Sequence, residues 1–496
     1  MVDGMHLRLL RVAVSACVLA GLLCGVARNG LSEAAASVQG NVQAKVVRPD
    51  SEAKMVETYP GPDGIDPSDQ YAVKVVQNGK QYDSFVYLSK AQQKTNRSKT
   101  TSWTTFSFSG RVTVFVTRLK AEAVKTCTIL PSRYGITPRI EGNRVAFELD
   151  RPRKVSVEFD GDTIHPMLVF ADSLETDVPD TNDPNVIYFG PGVHKIGDKF
   201  IGSGKTVYLA GGAYVKGRLR ATDVQDLTIR GRGVLSGEDY PHGSTYDHHL
   251  INIRGMQTKR VLIEGLTLVN SPLYNILITG SHSTVRNVKM ISWWFSTDGP
   301  YVGRNGLVED CFIKVNDDAL KPYESNTVIR DCVIWQLENG APIQISWNMP
   351  SDNSGIHVKN IDIIRMEHRT HQINLAAINA IHGGNGHMSN YLFENIRIEN
   401  ADWRLFYITL SKHEFADPKN EMGQISDLTF RNITATGPFK LKNVIRGWDA
   451  EHRISNVTFE NLTINGKYIR NAEEGNFEID PETTDNIVFK VDEGGQ

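Results

Sequence analysis

The sequence predicts an all-β chain, an N-terminal β-sandwich followed by a right-handed parallel β-helix. Two observations carry this. Runs such as Val112-Thr113-Val114-Phe115-Val116 and Val155-Ser156-Val157-Glu158-Phe159 alternate apolar and polar residues, the period of a half-buried strand. Further on, a template of the form apolar, any, apolar, charged, Asn or Asp, apolar, any, apolar recurs many times, the mark of stacked coils.

The first element stands outside the fold. Arg8 and Arg11 precede an apolar run from Val12 to Val26 with the small-residue exit Gly25-Val26-Ala27, the layout of an export signal and short of the ~20 apolar residues that span a bilayer. Residues 1–36 are expected to be a signal peptide and lead-in, with an uncleaved anchor as the alternative. The mature chain is then expected to be secreted or periplasmic, and off the membrane after signal cleavage.

Residues 37–180 are expected to form the sandwich. Tyr71-Ala72-Val73-Lys74-Val75-Val76 adds a further alternating run, and Asn78-Gly79 and Gly142-Asn143 separate runs where hairpins need positive φ. No stretch shows helical periodicity, so antiparallel pairing is expected. The polar segment 174–184, with Pro179 and Pro184, reads as a lead-in to the second domain, 181–496.

In that domain the template appears as Val261-Leu262-Ile263-Glu264-Gly265-Leu266-Thr267-Leu268, with Gly in the bend position, and as Ile356-His357-Val358-Lys359-Asn360-Ile361-Asp362-Ile363. Its charged position falls at Glu264, Arg286, Glu309, Arg330, Lys359, Glu394, Arg431 and Glu460. The spacing begins near one coil's length and stretches later through insertions, as a parallel β-helix tolerates. The Asn/Asp column suits a tight bend that accepts left-handed φ and bonds along the stack. Its sequon members Asn432 and Asn461 are expected to point inward. Cys311 and Cys332 occupy equivalent apolar positions and are expected to stack as buried thiols, with a disulfide as the alternative. The small net charge of −3 and the lack of a basic run argue against a nucleic-acid partner.

Asp298 and the pair Asp317-Asp318 fall outside the bend column, whereas Asp310 and Asp331 belong to it. The three acids are expected on open-face strands, Thr297–Tyr301 and Asn316–Tyr323, of neighbouring coils roughly 4.8 Å apart. Splayed outward, they could reach the ~6.5–9.5 Å that leaves room for a water in an inverting glycosidase. Crowding would keep one acid protonated while Lys321 holds another ionised. Asn316, Lys321, Tyr323, Gln344, Trp347, Asn348 and His371 are the candidate substrate-binding residues, with Tyr323 and Trp347 as aromatic platforms. His382-Gly383-Gly384-Asn385-Gly386-His387 reads as a long surface loop near the cleft, and His248-His249 as a poor metal site. No metal or other cofactor is expected, and the chain is expected to be a monomer.

Thr297-Asp298-Gly299 followed by Asn316-Asp317-Asp318-Ala319-Leu320-Lys321 resembles glycoside hydrolase family 49, the dextranases and isopullulanase. The specific motif covers only Trp293 to about Tyr323; the architecture covers most of the mature chain. The resemblance implies a sandwich ahead of a β-helix, Asp317 as general acid, Asp298 and Asp318 in water activation, and inverting hydrolysis of an α-linked glucan, endo-cleavage of the α-1,6 linkages of dextran first among them. The related polygalacturonases add Gly-His-Gly and Arg-Ile-Lys segments that are missing after Asp318, which argues against a uronate. Other polysaccharides, a calcium-dependent lyase and a non-catalytic glycan-binding β-helix stay open.

Overall fold

The computed structural model describes residues 55–91, 98–242, 247–368, 376–413, 416, 417, 419 and 421–492. The expected export segment lies outside them, as does His371. Among the described residues no helix is long and apolar enough to cross a membrane.

The alternating runs become strands of two facing sheets. One holds Tyr71–Gln77, Lys80–Ser84, Val112–Arg118, Arg139–Glu141 and Arg144–Leu149; the other includes Thr100–Phe108, Arg153–Phe159 and Met167–Ser173. Their inner faces close over Val75, Phe106, Val114, Val116 and Val155, all fully buried. The turns fall where positive φ was expected, with Asn78 at 50°, Gly79 at 76° and Gly142 at 63°. One expectation is corrected: Met167–Ser173 runs parallel to Thr100–Phe108, so the sandwich is not purely antiparallel. Alternation fixes which face is buried and leaves strand direction undetermined.

From Val186–Phe189 onward the chain winds as a right-handed parallel β-helix, with short strands paired to their counterparts one coil later. The charged column is in register: Glu264 faces Arg286, then Glu309, Arg330, Lys359, Glu394, Arg431 and Glu460 follow in turn. Signs alternate along most of it, so Glu309 is bridged by Arg286 from one side and Arg330 from the other, both at 2.5 Å.

Gly265, Asn287, Asp310, Asp331, Asn360, Asn395, Asn432 and Asn461 all have φ between 52° and 85°, the left-handed bend that non-glycine residues other than Asn and Asp avoid. The side chains form a ladder, Asn461 Nδ2 donating to Asn432 Oδ1 at 3.1 Å and Asn432 Nδ2 to Asn395 Oδ1 at 3.1 Å. The inward direction expected for Asn432 and Asn461 is wrong: Asn432 is exposed and Asn461 only partly covered. The bend sits at a corner of the coil, and its amides cap that corner from outside. Cys311 and Cys332 are buried free thiols, so the disulfide alternative falls away.

The sandwich packs on the helix through Tyr87, Trp103 and Phe170 against Tyr214, Trp293, Phe312 and Trp335. Trp293 is consequently a core residue, its indole N–H donating to Ser89 Oγ at 2.8 Å. Lys289 and Asp172 form an ion pair of 2.5 Å across the same seam, both side chains essentially inaccessible. The His382–His387 segment is not a long surface loop. His382 ends the buried strand Ile378–His382, its ring held by Ser346 Oγ and Gly386 O, and strand His387–Ile398 follows after the short turn 383–386.

Candidate active site

Asp298 and the Asp317-Asp318 pair lie on irregular backbone between strands, not on strands as expected: Asp298 leads into Pro300–Arg304, and the pair follows Phe312–Val315. Gly299 N donates to Asp318 O at 3.0 Å and Asn275 N to Asp298 O at 2.9 Å, so the segments still stack coil upon coil. Glycines allow the approach. A Cβ on Gly299 would lie 2.0 Å from Ala319 O, and one on Gly340, whose φ is 76°, would lie 2.3 Å from the Asp317 carbonyl carbon.

The three acids bring carboxylate oxygens within 4.8 Å of one another. The cause is depth: Asp298 is 4% and Asp318 3% exposed, sunk between the coils rather than spread over a face, while Asp317 is half-buried.

Each carboxylate has its own partners. Asp298 Oδ2 accepts from Lys321 Nζ at 2.8 Å, and the ammonium lies 3.3 Å from the centre of the Tyr274 ring. Asp318 accepts from Trp347 Nε1 at 2.9 Å and Ala341 N at 3.0 Å. Asp317 Oδ2 accepts from Ser296 N at 2.7 Å and Asn339 Nδ2 at 2.8 Å, and its Oδ1 from Asp318 N at 3.0 Å.

Burial raises all three carboxyl pKa values, and mutual repulsion adds to it for Asp317 and Asp318. Asp318 is pushed up to about 7, and Asp317 rises well above the usual carboxylate range, with Asp298 and Asp318 both repelling its charge. For Asp298 the charge and hydrogen bond of Lys321 oppose the burial. The arrangement therefore favours a protonated Asp317 beside a Lys321-compensated Asp298, an acid and a base side by side. His249, whose ring lies 4.8 Å from that of Tyr274, is pushed down to about 3 by burial and stays neutral.

Of the candidate binding residues, Lys321 and Trp347 join the acids but touch them directly. Lys321 is buried, and Trp347 serves Asp318 as a hydrogen-bond donor rather than only as a platform. Asn316 is fully buried and braces the backbone, donating to Trp293 O at 2.7 Å and accepting from Asn339 N at 3.0 Å. Gln344 is fully buried as well, donating to Ser346 O and accepting from Asn379 Nδ2. Neither is placed to meet a sugar hydroxyl, because pattern alone cannot separate an inward amide from an outward one. Tyr323 and Asn348 are half-buried, the Tyr323 ring 6.2 Å edge-on from Tyr301 and its hydroxyl buried without a partner. Sequence reasoning missed Tyr274, Asn339 and the Ser296 N–H. Tyr274 had a signal: it stands one coil before Asp298 in the same column.

No family model matches the chain. It is 32% identical to a dextranase of Arthrobacter sp. strain CB-8 over a stretch covering 36% of this chain and 32% of that protein, so the match spans about a third of the relative. It is 25% identical to an isopullulanase of Aspergillus niger, covering 73% of this chain and 78% of that one. In fold it is similar to Dex49A from Penicillium minioluteum, with a TM-score of 0.67 at 20% identity over 89% of this chain and 98% of the other.

Proposed function

We propose that the chain is of the dextranase and isopullulanase kind, glycoside hydrolase family 49, and that it is an exported glycoside hydrolase that cleaves an α-linked glucan, internally at the α-1,6 linkages of dextran, a reading supported by its similarity to a dextranase and an isopullulanase. The observation that carries this is the cluster of three acids with unlike partners. Asp317 donates its proton to the glycosidic oxygen, and the three donors on its oxygens stabilise the carboxylate that results. Asp298, charge-compensated by Lys321, takes a proton from the attacking water, with Asp318 accepting that water's other hydrogen on a lone pair left over from its bonds to Trp347 and Ala341.

Water attack in one step inverts the anomeric centre, as the family resemblance implies. Retention, in which one acid attacks as nucleophile, is the alternative outcome. NMR of the first-formed anomer decides between them.

Three carboxylates so close could also hold a divalent cation, as in a calcium-dependent lyase. Against this, both oxygens of Asp317 and both of Asp318 already accept from protein donors, and Asp298 faces an ammonium. The test is a reducing-end assay on dextran, pullulan, pectate and sulfated galactan, run with chelator and with absorbance of unsaturated ends. New reducing ends from dextran, insensitive to chelator and lost in Asp317→Asn, support the hydrolase; unsaturated ends, or full activity in Asp317→Asn, overturn it.

A further inference from the structure

Arg404 stands in the same column as Asp298 and Asp318. Gly299 N bonds Asp318 O, Ala319 N bonds Ala341 O, Ile343 N bonds Ala377 O, and Ala377 N bonds Arg404 O. Following that register, Tyr274, Asp298, Asp318, Ala341, Ala376 and Arg404 occupy equivalent places on successive coils. Arg404 thus lies three coils beyond Asp318, roughly 14 Å along the axis at ~4.8 Å per coil. Between the two the column carries only methyl side chains.

The guanidinium has no carboxylate partner among the described residues. Its Nε is buried without an acceptor, and its face lies 4.7 Å from the centre of the Tyr407 ring. The acids nearby are committed elsewhere, Asp402 to Lys440 at 3.3 Å and Glu478 to Arg446 at 2.6 Å. A guanidinium keeps its charge at any ordinary pH, and burying that charge in part without a counter-ion is unfavourable. A cation stacked on a ring and left with open donors is preorganised for a planar or tetrahedral oxyanion, which it can grip with two parallel N–H bonds.

We propose that Arg404, backed by Tyr407, is an anion-recognition position of the substrate cleft, and that the polymer carries acidic substituents, sulfate or carboxylate, on a unit about three coils from the bond that is cut. This rests on the hydrolase reading for the direction of the chain across the acids, and it narrows the substrate class from a neutral glucan to an acid-substituted one.

The test measures binding and cleavage separately. Calorimetry with neutral, sulfated and carboxymethylated dextran oligosaccharides is run on the wild type, Arg404→Ala, Arg404→Lys and, as a control for general attraction to polyanions, Lys120→Ala on the sandwich. The wild type is expected to bind one or both acidic ligands tighter than the neutral one, and the two arms tell sulfate from carboxylate. Arg404→Ala should lose about tenfold on the acidic ligand, the scale of a bidentate ionic contact, and nothing on the neutral one, with Arg404→Lys between. Equal binding of neutral and acidic ligands by the wild type, or an equal loss in Lys120→Ala, overturns the proposal. Absence of hydrolysis with the binding difference intact would remove the hydrolase reading and leave the anion site standing.

Discussion

Lys321 Nζ lies 2.8 Å from Asp298 Oδ2, and neither side chain is more than 5% exposed. The two come from neighbouring coils, with the Tyr274 ring against the ammonium. Burial lowers the Lys321 pKa and raises that of Asp298, and each charge resists the shift of the other. The pair therefore fixes which of the acids is ionised. Replacing Lys321 by Met removes the compensation and raises the Asp298 pKa further. Since the proposed base works only when ionised, the acidic limb of the kcat profile should move to higher pH and kcat should fall by about 10²-fold, within the range of general-base contributions. An unchanged acidic limb would show that Asp298 is not the base.

Asn339 acts on the other side of the proton transfer. Its amide and the Ser296 N–H both donate to Asp317 Oδ2, which favours the charged carboxylate. Loss of one donor raises the pKa of an acid that already stands high. Activity falls with rising pH as the general acid loses its proton, so Asn339→Ala should carry the basic limb upward and lower kcat about tenfold through a weaker acid. Its KM should stay near that of the wild type, because Asn339 holds the catalytic group and not the sugar.

Trp347 separates two roles that the sequence merged. As a sugar platform its indole N–H would be incidental; as a donor to Asp318 Oδ2 it is the group that counts. Trp347→Phe keeps an aromatic face and removes the donor. A fall in kcat with steady KM is expected, together with a rise of the Asp318 pKa from about 7. A change confined to KM would return Trp347 to the platform role.

The fold was legible because its signals are periodic. A charged residue followed by a left-handed Asn or Asp, or by Gly at the first, marks the coils from Glu264 to Glu460, and Arg286, Glu309 and Arg330 face one another where the spacing puts them. The acids were legible because they interrupt that period. Their partners were less so. Asn316 and Gln344 were expected to meet substrate and are sealed inside, since an amide flanked by apolar residues reads alike whether it braces a bend or faces a cleft. Tyr274 was marked only by its place one coil before Asp298, and Asn339 reaches Asp317 from a position set by coil stacking, which no local spacing encodes. The depth of the acids, and with it their close approach, follows from Gly299 and Gly340, whose missing side chains let neighbouring coils settle together.

Function at this site opposes stability. Asp318 ionises near 7 in the fold, against 3.8 for an ordinary carboxyl. Between those values the native state holds a proton that the unfolded chain has released, so stability falls as pH rises through this window and recovers as pH is lowered toward 4. Asp318→Asn removes the cost while keeping the shape. At pH 7 it should raise Tm, by roughly 2 °C for each kcal/mol relieved, while activity is lost. At pH 4 the gain should vanish, and a gain that persisted there would place its origin outside ionisation.

The seam between sandwich and helix makes the opposite demand. Lys289, wholly inaccessible, pairs at 2.5 Å with Asp172, itself only 1% exposed, and Lys289 also donates to Gly265 O at 3.2 Å. Removing the ammonium leaves Asp172 buried with Arg232, 3.7 Å away, and the charge of Lys154 to compensate it. Truncating one partner of a buried pair typically costs about 3–5 kcal/mol, because the other charge stays desolvated. Arg232 takes up part of that charge, so Lys289→Ala should fall toward the lower end of that range in urea unfolding. Lys289→Met combined with Asp172→Leu exchanges the pair for apolar contact of similar volume and should recover most of the loss. If the double variant unfolds as readily as Lys289→Ala, the pair does more than balance its own desolvation: it fixes how the two domains dock.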